Sequence, residues 1–485
     1  MENKPNPTQA ENPGPVPKAQ PPRPRNADPG RPPLPNRNTQ VFLIVAVLAF
    51  IAALIAIFVA LAVPSSSETE LATPTAVAGA RSLAVTASLP IFQGSTVRAK
   101  NDKTASVLQT QIGSIDFGTA VPFPATPAGP AAQAVADTGG QNWPMLGGNP
   151  AHTRVSPVNL KLPLKQLWSV NIGSDLLSSP AVISNTVYVG SDARGLVSLD
   201  ATTGRVNWYF PGGAVIASPA VANGMVFFGN QDNQFFAINA VTGKQVWQFS
   251  TLAANLNSPA IVDGVIYFGS NDGHLYAVDA NTGQRRWAFG LTGLNQVGVS
   301  DSPAVAGGKV FFATTDDNFY ALNKEDGKII WQISITGSTL SSPTIANNIV
   351  YLATKAGKLL ALDTNTGKLK WQFDLHKESR SSPAVADGVV YVGSSDNKVY
   401  AVDANSGQQK WAFATEGSIS SSPILAGNLL FIGSNDTKLY ALDVATGQVK
   451  WTFTSGDAIG ASAAIVNGHL YIPSLDGNLY AFGEQ

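Results

Sequence analysis

The stretch "YAVDANTGQRRWAF" occupies Tyr276–Phe289, "YAVDANSGQQKWAF" occupies Tyr400–Phe413 and "YALDVATGQVKWTF" occupies Tyr440–Phe453. A phrase repeated this closely asks whether it performs chemistry or builds the molecule. Around it, tryptophan falls at Trp168, Trp208, Trp247, Trp287, Trp331, Trp371, Trp411 and Trp451, with spacings of 40, 39, 40, 44, 40, 40 and 40. Self-similarity at a fixed period of this length denotes a stacked or circular repeat architecture.

Other marks keep the same period. A Ser-Pro step recurs from Ser179-Pro180 to Ser422-Pro423, and the eighth copy is Ser462-Ala463. A short apolar run follows about ten residues later, then a turn, a "YAVD"-like strand, a Thr-Gly or Ser-Gly pair and the tryptophan. In the copy from Ser382 to Ala414 this predicts four strands, "SPAVADG", "VVYVGSSD", "KVYAVD" and "QKWAFA", joined by tight turns. The middle runs are apolar on both sides of the pleat, as a sheet covered on both faces requires. Such a unit is one blade of a propeller.

The chain ends supply the blade count. Trp168 precedes the first Ser-Pro strand, whereas the last unit stops at "LYAFGEQ" without a tryptophan strand. The segment "KQLWSVNI" (Lys165–Ile172) is therefore expected to complete the sheet begun by the C-terminal strands, giving eight blades and no free edge at the seam. The fold class read here is all-β: an eight-bladed propeller of four-stranded antiparallel blades.

Within the phrase, Asp200, Asp279, Asp363, Asp403 and Asp443 are placed to bond the backbone of the following turn, and Gly204, Gly283, Gly367, Gly407 and Gly447 supply its positive φ. The eight tryptophans, on outermost strands, are expected to dock on neighbouring blades. Burying about 150–250 Å² of ring at about 25 cal/mol/Å² corresponds to roughly 4–6 kcal/mol gross per indole, an upper bound. Eight similar copies suit a structural part, because a ligand site needs asymmetry.

Composition narrows the functions. Charged residues are 13% of the chain and the formal net charge is −1, so no nucleic-acid footprint is present. Cysteine is absent, which removes disulfides, thiolate metal sites and thioether lipid anchors. The four histidines, His152, His274, His376 and His469, lack zinc-site spacing, and no nucleophile-elbow, phosphate-loop or metalloprotease motif is found in context.

Before the repeats, residues 1–40 hold twelve prolines and no aromatic residue, the composition of a disordered tail. Val41–Val63 is an uncharged apolar run of twenty-three residues, enough to span a bilayer as a helix. Lys4, Lys18, Arg23, Arg25, Arg31 and Arg37 precede it and no Lys or Arg follows until Arg81, which predicts a cytoplasmic tail and an extracytoplasmic remainder. A cleaved signal peptide is the competing reading, against which stand the length of the run and of the tail. Residues 64–140, rich in Ser, Thr, Ala, Pro and Gly, are expected to form a linker, with the fold of 83–117 left unassigned. The propeller is expected over 141–485.

The "YALDxxTGxxxW" unit with its "SSPAV" strand resembles the quinoprotein-type repeat of eight-bladed propellers, and "NWPMLGGNPAHTRVSP" (Asn142–Pro157) is similar to the segment that precedes such propellers in many bacterial proteins. The resemblance covers about 141–485. It implies either a pyrroloquinoline-quinone (PQQ) dehydrogenase, with quinone stacked on a tryptophan over the channel beside Ca²⁺, a disulfide and a basic Asp, or a non-enzymatic branch that includes the lipoprotein scaffold of outer-membrane β-barrel assembly. Against the first stand the missing cysteines, the lack of roofing insertions, and tryptophans confined to outer strands apart from Trp143. Against an outer-membrane assembly role stands a helical anchor in place of a lipidated cysteine.

The resulting expectation is a membrane-anchored propeller that binds a protein or cell-envelope ligand through one transmembrane helix's worth of tethering, with no catalytic residues, no cofactor and no nucleic-acid partner. PQQ and Ca²⁺ belong only to the dehydrogenase alternative. A further alternative is a sensor ectodomain signalling through the tail. Loops before the Ser-Pro strands should open at a channel mouth, and there Asp301, Lys377, Glu378 and Arg380 break a small, neutral pattern and are the candidate recognition residues.

Overall fold

The computed structural model describes residues 141–291 and 297–484. The expected tail, transmembrane helix and linker (1–40, 41–63 and 64–140) lie outside the described residues, as do residues 292–296 of the inserted loop "LTGLNQVGVSD". Among the described residues no helix is long and apolar enough to cross a membrane.

Eight separate sheets are present, and each has the order innermost to outermost that the repeat predicts. Blade 1 consists of Ala181–Ile183, Thr186–Ser191, Gly195–Asp200 and Val206–Phe210. Blades 2 to 7 begin at Ala220, Ala260, Ala304, Thr344, Ala384 and Ile424 and end with strands closing at Ser250, Gly290, Ser334, Asp374, Ala414 and Thr454. All pairings within blades are antiparallel, as in blade 6, where Ala384↔Tyr391, Tyr391↔Ala401 and Ala401↔Trp411 are registered opposite one another.

Blade 8 is made from both ends of the repeat region. Ala464–Val466, His469–Pro473 and Asn478–Glu484 are joined by Leu164–Asn171, with Trp168 opposite Ala481. The seam is thus a complete ladder rather than two exposed edges.

Strand lengths follow from local chemistry. The innermost strands have three residues, shorter than the predicted segment "SPAVADG", because proline removes a backbone donor at one end and a tight turn with positive φ, such as Asp387-Gly388, closes the other. The second and third strands are buried on both faces, whereas the outermost strands alternate exposed and half-buried residues, as in Leu369–Asp374.

The turn after each third strand has the anticipated architecture. Asp403 Oδ1 accepts from the backbone N–H of Asn405 and Ser406 and from the Ser406 hydroxyl, and Gly407 has φ 72°. Those bonds hold the Asp403 carboxyl below the usual carboxylate range.

Candidate functional site

The outer junctions between blades are assembled from one indole and one glycine. Trp371, in blade 5, donates its Nε1–H to Ala404 O in blade 6, and the equivalent bond runs from Trp168, Trp208, Trp247, Trp287, Trp331 and Trp411 at 2.9–3.2 Å. A Cβ on Gly407 would lie 2.8 Å from Trp371 Cδ2. The turn glycine is therefore required twice, for its left-handed backbone and for the ring that rests on it. Trp451 differs: among the described residues its Nε1–H has no such backbone acceptor, and this ring lies edge-on to Phe482 at 5.5 Å.

The hub is assembled differently. The serine preceding each Pro (or Ala463) accepts, through Oγ, a bond from the backbone N–H of its counterpart in the preceding blade. The chain of bonds runs Ser179, Ser218, Ser258, Ser302, Ser342, Ser382, Ser422, Ser462 and back to Ser179 at 2.9–3.3 Å. It is a closed ring of eight serines about the axis. The recurrence of Ser before Pro was visible in the sequence, but the partner of each hydroxyl lies about forty residues away.

Inside this ring runs the lead-in segment. Trp143 exchanges both backbone bonds with Val182 of blade 1, and Pro144 O accepts from Val221 of blade 2. Met145 packs with Ala220 and Ile261, in blades 2 and 3. Pro150, Ala151, Thr153 and Arg154 then accept from Val305, Ile345, Val385 and Leu425, the central residues of the innermost strands of blades 4 to 7. Ser156 Oγ donates to Ile465 O in blade 8. The strap thus visits the blades in chain order and satisfies inner-edge donors that a bare propeller would leave facing the channel.

Two strap side chains are fully buried with unpartnered polar atoms: His152 Nε2 and all three guanidinium nitrogens of Arg154. Burial, with the Arg154 charge adding to it, lowers the His152 pKa to about 3, so the imidazole is neutral, and burial likewise pushes the Arg154 guanidinium down. His152 Nδ1 lies 3.2 Å from Pro343 O.

The candidate mouth residues do not form one patch. Lys377, Glu378 and Arg380 are exposed together on the loop entering blade 6, and none has an ion-pair partner among the described residues. That loop is anchored by its backbone: Lys377 N–H bonds Leu375 O, and Glu378 O accepts from Ser395. Asp301, by contrast, is 2% exposed. Its Oδ1 accepts from Ala313 N–H at 2.9 Å and its Oδ2 from Thr339 Oγ1 at 3.4 Å. Ser341, Ser381 and Ser421 accept the equivalent backbone bond in blades 5 to 7. Asp301 is thus an interior variant of a structural serine and not a surface charge as expected; burial raises its pKa well above the ordinary carboxylate value, against the pull of those two bonds.

Among the described residues no three His, Cys, Asp or Glu side chains converge where a metal ion could be held. Trp143 is buried in the hub with Gly148 against its ring.

Comparison with known proteins follows this geometry. The family model described as outer membrane protein assembly factor BamB matches residues 164–297, 271–380 and 364–484. No curated protein matches the chain. Among solved structures, BamB from Moraxella catarrhalis superposes with a TM-score of 0.57 at 18% identity, over 66% of this chain and 100% of that one. Quinohemoprotein alcohol dehydrogenase from Comamonas testosteroni gives 0.64 at 16% identity, over 72% and 81%. A europium-containing methanol dehydrogenase gives 0.64 at 15% identity, over 71% and 98%. At these identities the superpositions establish a shared propeller fold and nothing about chemistry. The repeat, the closed ring of blades and the family match together place this chain in the PQQ-like propeller family described by outer membrane protein assembly factor BamB.

Proposed function

We propose that this protein is a binding scaffold without catalysis or cofactor, tethered through residues 41–63 with the propeller outside the cytoplasm, and that its ligand is a protein or another component of the cell envelope. The observation that carries this reading is the contrast between a hub filled by the protein's own strap and a mouth loop whose Lys377, Glu378 and Arg380 stand exposed on a fixed backbone. Charged side chains without internal partners on a rigid frame keep their interaction capacity for something outside the chain. The family match to an assembly factor supports a protein partner, and the similarity to alcohol and methanol dehydrogenases keeps the PQQ reading as the rival.

The test replaces Lys377 or Arg380 with a photo-crosslinking residue in cells. A defined crosslinked partner, lost on charge reversal of Glu378 and Arg380, is the expected result. Purified protein incubated with PQQ and Ca²⁺ should leave alcohols and sugars unchanged; turnover would establish the dehydrogenase instead. Protease shaving of intact cells should reach the propeller and spare residues 1–40.

A further inference from the structure

Two junctions between blades depart from the rest, and only one of them leaves an open groove. The other six close with a second aromatic contact besides the indole: Phe210–Phe236, Phe249–Tyr276, Phe289–Tyr320, Phe373–Tyr400, Phe413–Tyr440 and Phe453–Tyr480, with centroids 4.9–5.4 Å apart. At the seam, Val170 and Val197 take these positions and pack with Ile172 and Leu176. Between blades 4 and 5 the positions hold Ile333 and Leu360, and there a groove of about 480 Å³ opens, lined by Ile333, Ile335, Leu360, Leu362 and Leu369 with Lys358 and Gln372 at its polar side. Its volume falls in the range of about 300–1,000 Å³ found for ligand sites. The other junctions show what fits such a space: a phenyl or phenol ring, edge-on to its neighbour.

The groove reaches exposed apolar surface at Leu369, which lines it and is 53% exposed on the outermost strand of blade 5. Leu369 belongs to the terminal strand of its sheet, whose outer edge pairs with no other strand among the described residues. An aromatic ring seated beside a free strand edge is the pattern of an extended peptide that adds backbone bonds to side-chain burial.

We propose that this groove docks a Phe or Tyr side chain presented by an extended segment of a partner polypeptide. The assignment deepens the scaffold reading and rests on it. The partner's ring replaces the aromatic pair that blades 4 and 5 lack, and Leu369 receives a residue flanking it.

The test is a titration of the full protein, followed by NMR or calorimetry, with an acetylated, amidated pentapeptide carrying Phe between Val and Thr residues. Controls are its Phe→Ala counterpart and free N-acetylphenylalanine amide. Binding of the Phe peptide at least about tenfold tighter than either control is expected. The double variant Ile333→Phe, Leu360→Tyr, which restores the ring pair of the other junctions, should abolish it, and Leu369→Lys, at an exposed position, should weaken it about tenfold without unfolding. Equal binding of the free amide would overturn the polypeptide assignment. Equal binding of the Ala peptide, or unchanged affinity in the refilled variant, would overturn the site. Failure here together with a partner crosslinked through Lys377 or Arg380 would remove the groove and leave the scaffold reading standing.

Discussion

The rim and the hub of this propeller solve the same problem, holding eight wedges in a circle, by opposite means. At the rim seven of the eight junctions are closed by a local phrase written once per blade, an indole from one blade resting on the turn glycine of the next. At the hub, one serine per blade contributes to a ring that exists only when all eight are present, and a single aperiodic strap threads the middle. Rim contacts are nearest-neighbour terms that add blade by blade, whereas hub contacts depend on closure. The rim therefore carries cohesion, and the hub carries closure and the unusual buried charge.

Substitutions can separate the two. The largest effect is expected at the rim: Trp371→Ala should cost about 3–5 kcal/mol in urea unfolding. Trp451→Ala should cost about 1 kcal/mol less, because among the described residues that indole has no hydrogen bond to a backbone carbonyl of the next blade. Equal losses at the two positions would show that ring burial alone, without the bond, holds the rim.

At the hub the sign should reverse for one residue. Arg154 is fully buried, and its guanidinium has no hydrogen-bond partner among the described residues. Arg154→Met should stabilise the protein by about 1–4 kcal/mol, read as a rise in urea midpoint, since an apolar replacement removes the desolvation cost. Destabilisation would mean that the charge is compensated by a bound group. Ser382→Ala, which leaves the Ser342 N–H without its acceptor, should cost about 1–3 kcal/mol. An equal loss when two adjacent ring serines are changed together would show that the ring acts as a unit.

The pH dependence should be a hub property. His152 has a folded pKa of about 3 against an ordinary 6.5, so the unfolded chain binds the extra proton first. Its stabilisation is complete above pH 6.5 and is lost as pH falls towards 3, by about 1 kcal/mol at pH 5.5. Asp301 runs the other way: its raised pKa gives stability that is full below the ordinary value of 3.8 and lost as pH rises through the folded pKa. Asp301→Ser, the residue used in blades 1, 5, 6 and 7, should therefore be at least as stable as the parent at pH 7 and leave the acid-side loss from His152 intact. A parent and an Asp301→Ser protein with identical urea midpoints from pH 4 to 8 would remove Asp301 from this account.

The same division marks what could be read before the fold was known. The turn Asp and Gly, the outer-strand Trp and the pairing of Lys165–Ile172 with the last strand are legible because each is set by short-range chemistry repeated at a constant period. The Ser-Pro mark was visible but its ring was not, since each bond joins residues about forty apart that meet only on closure. Asp301 was misplaced on the surface because a charged residue in a loop is usually solvated, while the interior position it shares with Ser341 is a matter of register.

The sequence by itself determined the repeat, the four strands of each blade, the number of blades and the seam, because hydrophobic periodicity, turn residues and an incomplete last unit are local facts. Only the tertiary structure decided that the lead-in fills the hub, that Arg154 and His152 are sealed there, and that replacing a Phe–Tyr pair by Ile333 and Leu360 opens a groove. These depend on which side chains meet across blades, where packing must fill a volume that no single stretch of chain encloses.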